Sequence, residues 1–400
     1  MTSLMLSRLA MPSPDRPALC DIFCNVIDNF GDIGVCWRLA RQLANEHGIA
    51  VRLWVDRLDA LAQICPAIDS CAQVLRVDGV EVRRWDADFR DADPGAFVIE
   101  AFACQLPQAF VAAMAARRPP PVWINLDYLS AEGWVVGCHT LPSPHPALSL
   151  VKYFFFPGFT ECTGGLLRER DLEARRQAFL ASRAGQSAFW HGVGGPPPAD
   201  ALLISLFAYA NRALADLLAI WAQGSAPVCC LAPLTQTLPA IEAFLGKSLR
   251  AGDVARCGQL EIRVLPFVGQ PDYDRLLWSC DLNFVRGEDS FVRAQWAAKP
   301  LLWHIYAQPE NAHRPKLDAF LDHYCGGFGE RLAAAPAATL RRLTLAWNEA
   351  PGAGPINARL WQEFVDALPE LRTHATSWQN NLSKQQDLCT KLLCFCRSKL

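Results

Sequence analysis

The segment Asp28-Asn29-Phe30-Gly31-Asp32-Ile33-Gly34 joins an apolar run that ends at Val26-Ile27 to a helical pattern that begins near Val35. It places two carboxylates, Asp28 and Asp32, four residues apart on a turn that contains glycine. In open α/β sheets, a strand-to-helix turn lies at the carboxyl edge of the sheet, where ligands bind. The pattern therefore predicts that Asp28 and Asp32 face a ligand, and it favours a catalytic role for the pair.

Apolar runs alternate with helical patterns along the chain, and the alternation falls into two series. In the first series we expect helices near 35–47 and 105–117 and strands at 20–27, 49–55, 96–101 and 122–125. The second follows a polar, glycine- and proline-rich break at 184–198, with strands expected near 201–207, 226–231, 260–266, 281–285 and 300–305. Strands that alternate with helices predict parallel βαβ units, so each series is expected to form a Rossmann-like half.

The length of 400 residues exceeds what one hydrophobic core usually supports, which agrees with two domains. We predict an N-terminal Rossmann-like acceptor-binding domain at 1–183 and a C-terminal nucleotide-sugar-binding domain at 199–373. The tail at 374–400 is expected to form one helix that packs back on the first domain. Two such domains across a cleft are the architecture of GT-B glycosyltransferases, but dehydrogenases and periplasmic-type binding proteins also pair α/β lobes.

Composition narrows the class of partner. The formal charge is −2, with 38 basic and 40 acidic residues interspersed, so nucleic acid and a membrane surface are not expected as partners. The 16 cysteines lie mostly inside apolar segments and include no Cys-x-x-Cys pair, which predicts buried thiols in a reducing cytoplasm. No apolar run is long enough to span a bilayer. We expect a cytoplasmic protein that binds small molecules and other proteins.

A dinucleotide site is the first alternative for the turn at Asp28. Such a site needs Gly-x-Gly-x-x-Gly, but this turn has only Gly31 and Gly34, with Asp32 between them. Asp56, at the end of the second expected strand, does lie where a ribose-binding acid would. Two carboxylates in the turn would nevertheless repel a pyrophosphate. We therefore expect the first domain to bind an acceptor that needs a base.

The second domain carries a candidate anion site at Arg286-Gly287-Glu288-Asp289-Ser290, between the expected strand at 282–285 and the helix at 291–297. Free backbone N–H groups and the Ser290 hydroxyl can cradle a phosphate there, and Glu288 can accept a hydrogen bond from a sugar hydroxyl. Arg286 or Arg293 can add positive potential. The alternative is an ordinary helix start, in which Asp289 or Ser290 caps the helix and Glu288 favours the helix dipole.

Aromatic residues follow two strands of the same domain. Phe207 and Tyr209 end its first strand, and Phe267 with Gln270 follows a later one. Rings and an amide at these places can sandwich and hydrogen-bond a nucleobase, although a single buried Phe is more often a core residue.

The pairs Asp86-Ala87-Asp88 and Asp91-Ala92-Asp93 imitate the Asp-x-Asp of metal-dependent GT-A enzymes. Both stand in a polar stretch before the strand at Ala96, which favours a solvated loop. No metal site is predicted.

Several longer motifs resemble one protein family. They are the run from Asp21 to Val35 with Trp37-Arg38-Leu39-Ala40-Arg41, the segment Asn125-Leu126-Asp127-Tyr128-Leu129-Ser130, the segment Phe155-Phe156-Pro157-Gly158-Phe159, the run from Val285 to Trp296, and Trp303-His304-Ile305-Tyr306-Ala307-Gln308. They are similar to the EarP family, the protein-arginine rhamnosyltransferases of elongation factor P. The family usually has glutamate in place of Asp127 and proline in place of Ala307.

This resemblance implies a GT-B enzyme that moves L-rhamnose from dTDP-β-L-rhamnose to an arginine of elongation factor P, with inversion and without a metal or other cofactor. It implies that Asp32 is the general base and that Asp28 supports it. The implied donor contacts are Phe207, Tyr209, Phe267, Gln270, Glu288, Asp289 and Ser290, with Tyr306 a weaker candidate. A GT-B enzyme with a different acceptor and a non-catalytic module that binds the elongation factor remain alternatives.

Overall fold

The computed structural model describes residues 18–28, 30–86, 93–326 and 331–400. Its first half contains a sheet whose strands are β1 (Leu19–Cys24), β2 (Ala50–Val55), β3 (Val74–Val77), β4 (Val80–Arg84), β5 (Phe97–Ala101), β6 (Val122–Leu126), β7 (Pro142–Pro144) and β8 (Val151–Phe155). The helices around this sheet are α1 (Gly31–His47), α2 (Leu58–Ile64), α3 (Gln108–Ala116) and α4 (Trp134–Cys138).

Two helices, α5 (Leu172–Ala181) and α6 (Arg183–Gly192), precede the second sheet. The strands of that sheet are β9 (Leu202–Leu206), β10 (Val228–Pro233), β11 (Val254–Cys257), β12 (Leu260–Leu265), β13 (Leu282–Arg286) and β14 (Leu301–His304). The remaining helices are α7 (Ala213–Gln223), α8 (Leu238–Leu245), α9 (Gln270–Ser279), α10 (Asp289–Ala297), α11 (Arg314–Gly326), α12 (Ala334–Trp347), α13 (Ala358–Ser383) and α14 (Leu388–Arg397), with a 3-10 turn at Pro309–Asn311.

The first sheet has the order β3-β4-β2-β1-β5-β6-β8-β7, and the second has the order β11-β12-β10-β9-β13-β14. Their pairings are parallel except at the edges, where β3, β7 and β11 run antiparallel to their neighbours. In the centre of the first sheet, Ile22 of β1 lies opposite Leu53 of β2 and Ile99 of β5. Each sheet reverses its strand order once, at β1/β5 and at β9/β13, and ligands of open α/β sheets bind at such reversals.

Local sequence explains why α1 begins and ends where it does. Its apolar positions, including Ile33, Cys36 and Leu43, face the core and are buried. Asp32 lies in the first turn, where the helix dipole favours a negative charge. Gly48 ends the helix in the left-handed conformation, with φ of 65°, which glycine adopts without strain.

The two predicted Rossmann-like halves are present, and the GT-B fold class is confirmed. Two details differ from the sequence predictions. The polar break expected at 184–198 begins with α6, because the Ser182 side chain caps that helix by accepting from the Gly185 N–H at 3.0 Å. Phe179 of the preceding α5 packs on Trp278 of α9 with ring centroids 5.8 Å apart, so α5 contacts the second half.

The tail forms two helices rather than the single helix expected at 374–400. α13 ends at Ser383, and Asp387 starts α14 by accepting from the Thr390 N–H at 3.1 Å. The Leu388 N–H donates to the Leu166 carbonyl at 2.9 Å, and the Phe395 ring lies 5.3 Å from Tyr153 of the first sheet. α14 therefore packs beside the first half.

All 16 cysteines are free thiols, and ten of them are buried. Cys71, Cys162, Cys257 and Cys394 are exposed, so the prediction of buried thiols holds for only part of the set. Within the part of the chain that the structure describes, every helix falls short of the length and apolar character needed to cross a membrane.

Candidate active site

The strand reversals of the two sheets face each other, and the predicted site residues gather there. Asp28 and Asp32 follow β1, Phe207 and Tyr209 follow β9, and the segment Arg286-Gly287-Glu288-Asp289-Ser290 ends β13 and starts α10. Contacts between these segments join the two halves. The spacing of the strands in the sequence could not show this, because these contacts join residues more than 150 positions apart.

Asp32 is almost fully buried at the start of α1. Its Oδ2 accepts hydrogen bonds from the N–H groups of Ile27 at 2.9 Å and Asp28 at 2.8 Å, and its Oδ1 accepts from the Tyr128 hydroxyl at 3.3 Å. Burial raises the pKa of Asp32 to about 6, because the hydrogen bonds offset only part of the loss of solvent. A carboxylate with this pKa is ionised at neutral pH and is a better proton acceptor than an exposed aspartate.

Asp28 contacts the second half directly. Its Oδ2 accepts from the Tyr209 hydroxyl at 2.5 Å, and a Cβ added at Gly287 would lie only 2.5 Å from the same oxygen. Gly287 has a φ of 57°, so both its backbone conformation and this close approach require glycine. Burial raises the pKa of Asp28, while the Tyr209 hydrogen bond and the charge of Arg286 lower it in part.

Tyr128 is a site residue to which the sequence analysis assigns no role. It follows β6, and its ring stacks on Phe102 with centroids 4.4 Å apart. Phe102 follows β5 and has a positive φ of 57°, a strained conformation for an aromatic residue. The position of Tyr128 two residues after a parallel strand is the signal that could have identified it.

Glu288 is the N-cap residue of α10, and its carboxylate turns toward the first half. Its Oε2 accepts from the Leu129 N–H at 2.9 Å. Burial raises the pKa of Glu288 to about 7, although the charge of Lys316 and the Leu129 hydrogen bond oppose the shift. The Lys316 ammonium lies 5.4 Å from the centroid of the Tyr128 ring. A cation of the second half therefore lies beside Tyr128, whose hydroxyl donates to Asp32.

Asp289 belongs to a group of five buried or nearly buried charges, which we call the ionic cluster: Arg38, Glu169, Asp274, Asp289 and Arg293. Arg38 Nε donates to Asp289 Oδ1 at 2.8 Å. Arg293 donates to both oxygens of Asp274, at 2.8 and 2.7 Å, and to Glu169 Oε2 at 2.7 Å. Arg293 is therefore fully engaged by carboxylates, so it can add positive potential at the start of α10 only through its charge.

Arg286 and Ser290 close the loop that was expected to hold a phosphate. The Ser290 hydroxyl donates to the Arg286 carbonyl at 2.5 Å and accepts from the Arg286 N–H at 2.9 Å. The Arg286 guanidinium lies 4.7 Å from the Phe207 ring and 4.6 Å from the Tyr209 ring. Its buried Nη1 has no hydrogen-bond partner among the described residues, which marks a place for a polar ligand.

Three of the four residues predicted to hold the base, Phe207, Phe267 and Gln270, line a cavity of about 40 Å³, which we call the aromatic pocket, and Tyr209 lies outside its lining. Its lining includes Phe30, Phe207, Phe267, Gln270 and Arg286. Gln270 Nε2 donates to the Gly34 carbonyl at 3.1 Å, and its buried Oε1 is unpaired among the described residues. Tyr306 lies outside this lining and is 45% exposed, and its ring is 5.6 Å from Tyr209.

Asp56, the candidate ribose-binding acid, has a structural role. Its two carboxylate oxygens accept from Asn25 Nδ2 at 2.8 Å and from the Val26 N–H at 2.9 Å, so it fixes the loop before Asp28. This arrangement gives no support to the dinucleotide alternative.

The Asp-x-Asp pairs are only partly described. Asp88 and Asp91 lie outside the described residues, while the Asp93 carbonyl accepts from Arg52 at 2.7 Å. Across residues 18–28, 30–86, 93–326 and 331–400, no group of three or more His, Cys, Asp or Glu side chains is arranged to hold a metal ion.

Comparison with known proteins gives a consistent result. The family model for "Elongation-Factor P (EF-P) rhamnosyltransferase EarP" matches residues 20–397. The protein-arginine rhamnosyltransferase of Pseudomonas putida is 52% identical over 384 residues, covering 96% of this chain and 100% of that protein. The protein of the same name from Pseudomonas aeruginosa is 50% identical over 376 residues, covering 94% of this chain and 98% of that protein.

Solved structures agree. One described as the structural basis for EarP-mediated arginine glycosylation of translation elongation factor EF-P has a TM-score of 0.67 and 38% identity, covering 96% of this chain and 100% of that one. A UDP-glucosyltransferase from Polygonum tinctorium has a TM-score of 0.51 at 10% identity, covering 96% and 98%, and shares the fold.

Proposed function

Because the chain belongs to the EarP family of elongation factor P rhamnosyltransferases, we propose that it transfers L-rhamnose from dTDP-β-L-rhamnose to one arginine of elongation factor P. The transfer inverts the anomeric carbon and uses no metal. The modified factor then rescues ribosomes stalled at polyproline, and the reaction takes place in the cytoplasm.

The observation that carries this proposal is the environment of Asp32. A buried carboxylate with a raised pKa stands beside a second carboxylate, Asp28, and faces the start of a helix in the opposite half. Perturbed acids in a cleft are typical of catalytic sites. Inverting transfer is a single displacement, which needs one base beside the acceptor and charge stabilisation beside the leaving group.

Arginine is a difficult nucleophile, because its guanidinium has a pKa above about 12 and offers donors but no free lone pair. Asp28 and Asp32 can hold the guanidinium by charge-assisted hydrogen bonds and orient one nitrogen toward the sugar. Even with a pKa of about 6, Asp32 cannot deprotonate free arginine beforehand. The Asp32 carboxylate therefore takes the proton as the nitrogen–carbon bond forms and the bond from carbon to diphosphate breaks.

The leaving diphosphate meets positive potential from the second half. The backbone N–H groups at the start of α10 and the unpaired Nη1 of Arg286 are the donors available for it. Arg38 and Arg293 are committed to the ionic cluster and contribute only through their charge.

The aromatic pocket, at about 40 Å³, is far smaller than the roughly 300 Å³ of the smallest usual ligand pockets. The donor therefore enters with the two halves further apart than they are here. Three contacts have to separate on that side: Asp28 with Tyr209, Phe30 with Phe267, and Gly34 with Gln270.

The test is intact-mass analysis of unmodified elongation factor P incubated with this protein and dTDP-β-L-rhamnose. We expect one deoxyhexose on a single arginine, located by peptide mapping, with full activity in excess chelator. The one-bond C1–H1 coupling of the sugar in the isolated glycopeptide then reports the anomeric configuration. An Asp32→Asn variant that binds the factor without modifying it is the matched control.

The remaining alternatives predict different results. A binding module would bind elongation factor P without transfer and would not bind TDP. A glycosyltransferase with another acceptor would bind TDP and hydrolyse or transfer the donor sugar, but would leave the factor's mass unchanged. Loss of activity in chelator would restore the Asp-x-Asp pairs as metal ligands.

A further inference from the structure

Phe30 brings an aromatic ring of the first half into the aromatic pocket. It lies between Asp28 and Asp32 in the same turn and is half-buried. Its ring centroid is 4.5 Å from that of Phe267, with the planes tilted by 35°, and the Arg286 guanidinium lies 5.5 Å from it. The pocket therefore has aromatic walls from both halves of the molecule.

The spacing of these rings shows what the pocket requires of a ligand. Ring centroids at 4.5 Å are at the short end of the range for aromatic pairs, so no planar base fits between Phe30 and Phe267 without separating them. Gln270 Oε1, which is buried and unpaired among the described residues, belongs to the lining beside these rings. Two aromatic faces with a free acceptor fit a nucleobase, which has a π-face and polar edges.

We propose that the donor nucleobase inserts between Phe30 and Phe267, so that the first half supplies a donor-binding residue from the same turn that carries the catalytic acids. This inference rests on the proposed function, because it takes the donor to be a nucleoside-diphosphate sugar. The base replaces a direct contact between the two rings and becomes the middle layer of the closed cleft.

The turn transmits this contact to the catalytic acids because it is a single hydrogen-bonded unit. The Gly31 N–H donates to the Asp28 carbonyl at 2.7 Å, and Asp32 accepts from the Asp28 N–H at 2.8 Å. A Cβ at Gly31 would lie 2.6 Å from Asp28 Oδ2, so the backbone at Gly31 packs directly against the Asp28 carboxylate. A base stacked on Phe30 thus fixes Asp28 and Asp32 together, and donor binding prepares the acceptor site.

The first test measures binding of TDP, the donor without its sugar, to the full chain by calorimetry. Phe30→Ala should weaken the binding of TDP about tenfold, since the stacking of a base on an aromatic side chain contributes roughly that much to affinity. Phe30→Tyr keeps the ring and should bind TDP like the wild type. Phe30→Leu keeps apolar volume without a π-face, so its Kd for TDP should lie between those of Phe30→Ala and Phe30→Tyr. This variant separates a loss of stacking from a loss of folding.

Trp134 provides the control. It is an aromatic residue of the first half, 53% exposed on α4, and it does not line the aromatic pocket. Trp134→Ala should leave the Kd for TDP unchanged. Melting curves of all four variants show that each is folded at the temperature of the measurement. A Kd for Phe30→Ala within twofold of the wild type would overturn the proposal.

The second test measures coupling between the two substrates. Saturating TDP should tighten the binding of unmodified elongation factor P to the wild type, and this tightening should disappear in Phe30→Ala. Equal tightening in both proteins would contradict the role of Phe30. If the wild type binds no TDP, the proposed donor is wrong. If the wild type binds TDP and transfers sugar, and Phe30→Ala binds TDP equally well, only this inference is wrong.

Discussion

The two halves of the molecule meet in two chemically different regions, the ionic cluster and the cleft face that carries Asp28, Asp32 and the aromatic pocket. In the cluster, each guanidinium contacts at least two carboxylates, so every buried charge has a partner of opposite charge. On the cleft face, Arg286 Nη1 and Gln270 Oε1 lack partners among the described residues, and burial raises the pKa of Asp32. A buried polar group without a partner is costly, so within a cleft it marks a place where a polar ligand can bind, whereas paired groups stabilise the fold.

The pKa values show the same contrast. Burial alone would raise the pKa of Glu169 in the cluster, but Arg293 and Arg38 hold it well below its usual range. Burial raises the pKa of Asp32 to about 6, because its neighbours include Asp28 and no cation pairs with it among the described residues. The cluster is arranged for stability and the cleft face for reactivity, and this difference can be tested.

The largest expected effect is the loss of the base. Asp32→Asn should lower the rate of transfer about 1,000-fold, within the range of general acid–base catalysis. The melting temperature should stay equal or rise, because the variant removes a buried charge. Intact-mass time courses and melting curves measure both quantities. Transfer at more than a tenth of the wild-type rate would mean that Asp32 is not the base.

The next effect concerns the ionic cluster. Arg293→Met should lower the free energy of unfolding by about 3 to 5 kcal/mol, because it leaves Asp274 and Glu169 buried with too few partners. Urea unfolding curves measure the change. A loss below 1 kcal/mol would show that the cluster does not stabilise the junction between the two halves.

A smaller effect is the dependence of the rate on pH. Asp32 must be ionised to accept a proton, so kcat should fall about tenfold per pH unit below about pH 6. The Tyr128 hydrogen bond lowers the pKa of Asp32, so Tyr128→Phe should move this acid limb to higher pH. Rate profiles between pH 5 and 8 measure the shift. A shift of the acid limb to lower pH in Tyr128→Phe would mean that a group other than Asp32 sets this limb.

The same shift affects stability. The folded pKa of Asp32 lies above its unfolded value, so the folded state binds the proton more tightly and the ionised form is destabilising. The contribution of this group to the free energy of unfolding therefore rises as the pH falls from about 6 toward 4. In Asp32→Asn this part of the pH dependence should be absent from unfolding curves recorded over that window.

The smallest effect is expected at an exposed ion pair on the same helix as Asp274. Arg275 contacts Asp272 at 2.7 Å, and both side chains are about half exposed. Arg275→Ala should change the free energy of unfolding by less than about 0.5 kcal/mol, since such pairs are solvated in both states. This variant is the matched control for Arg293→Met, and a comparable loss from both would remove the distinction between buried and exposed pairs.

Much of this architecture could be predicted from the sequence because its causes are local. The apolar run before Asp28 and the helical pattern after it correspond to β1 and α1, and the strands at 122–125 and 260–266 correspond to β6 and β12. The edge hairpin of β3 and β4 was not predicted, because its strands have only four and five residues and lie mostly outside the core. The break between α13 and α14 was also not predicted, because a cap such as Asp387 is hard to recognise inside a helical pattern.

The sequence by itself determined the fold class, the turn that bears Asp28 and Asp32, and the loop at the start of α10, because hydrophobic periodicity and glycine placement act over a few residues. Only the tertiary structure decided that Tyr209 bonds Asp28 across 181 positions, that Arg38 reaches Asp289 across 251, and that Phe30 enters the pocket of the second half. Those contacts depend on how the two sheets dock. No local pattern encodes that geometry, and the side chains that meet there become recognisable as a site only when the halves are brought together.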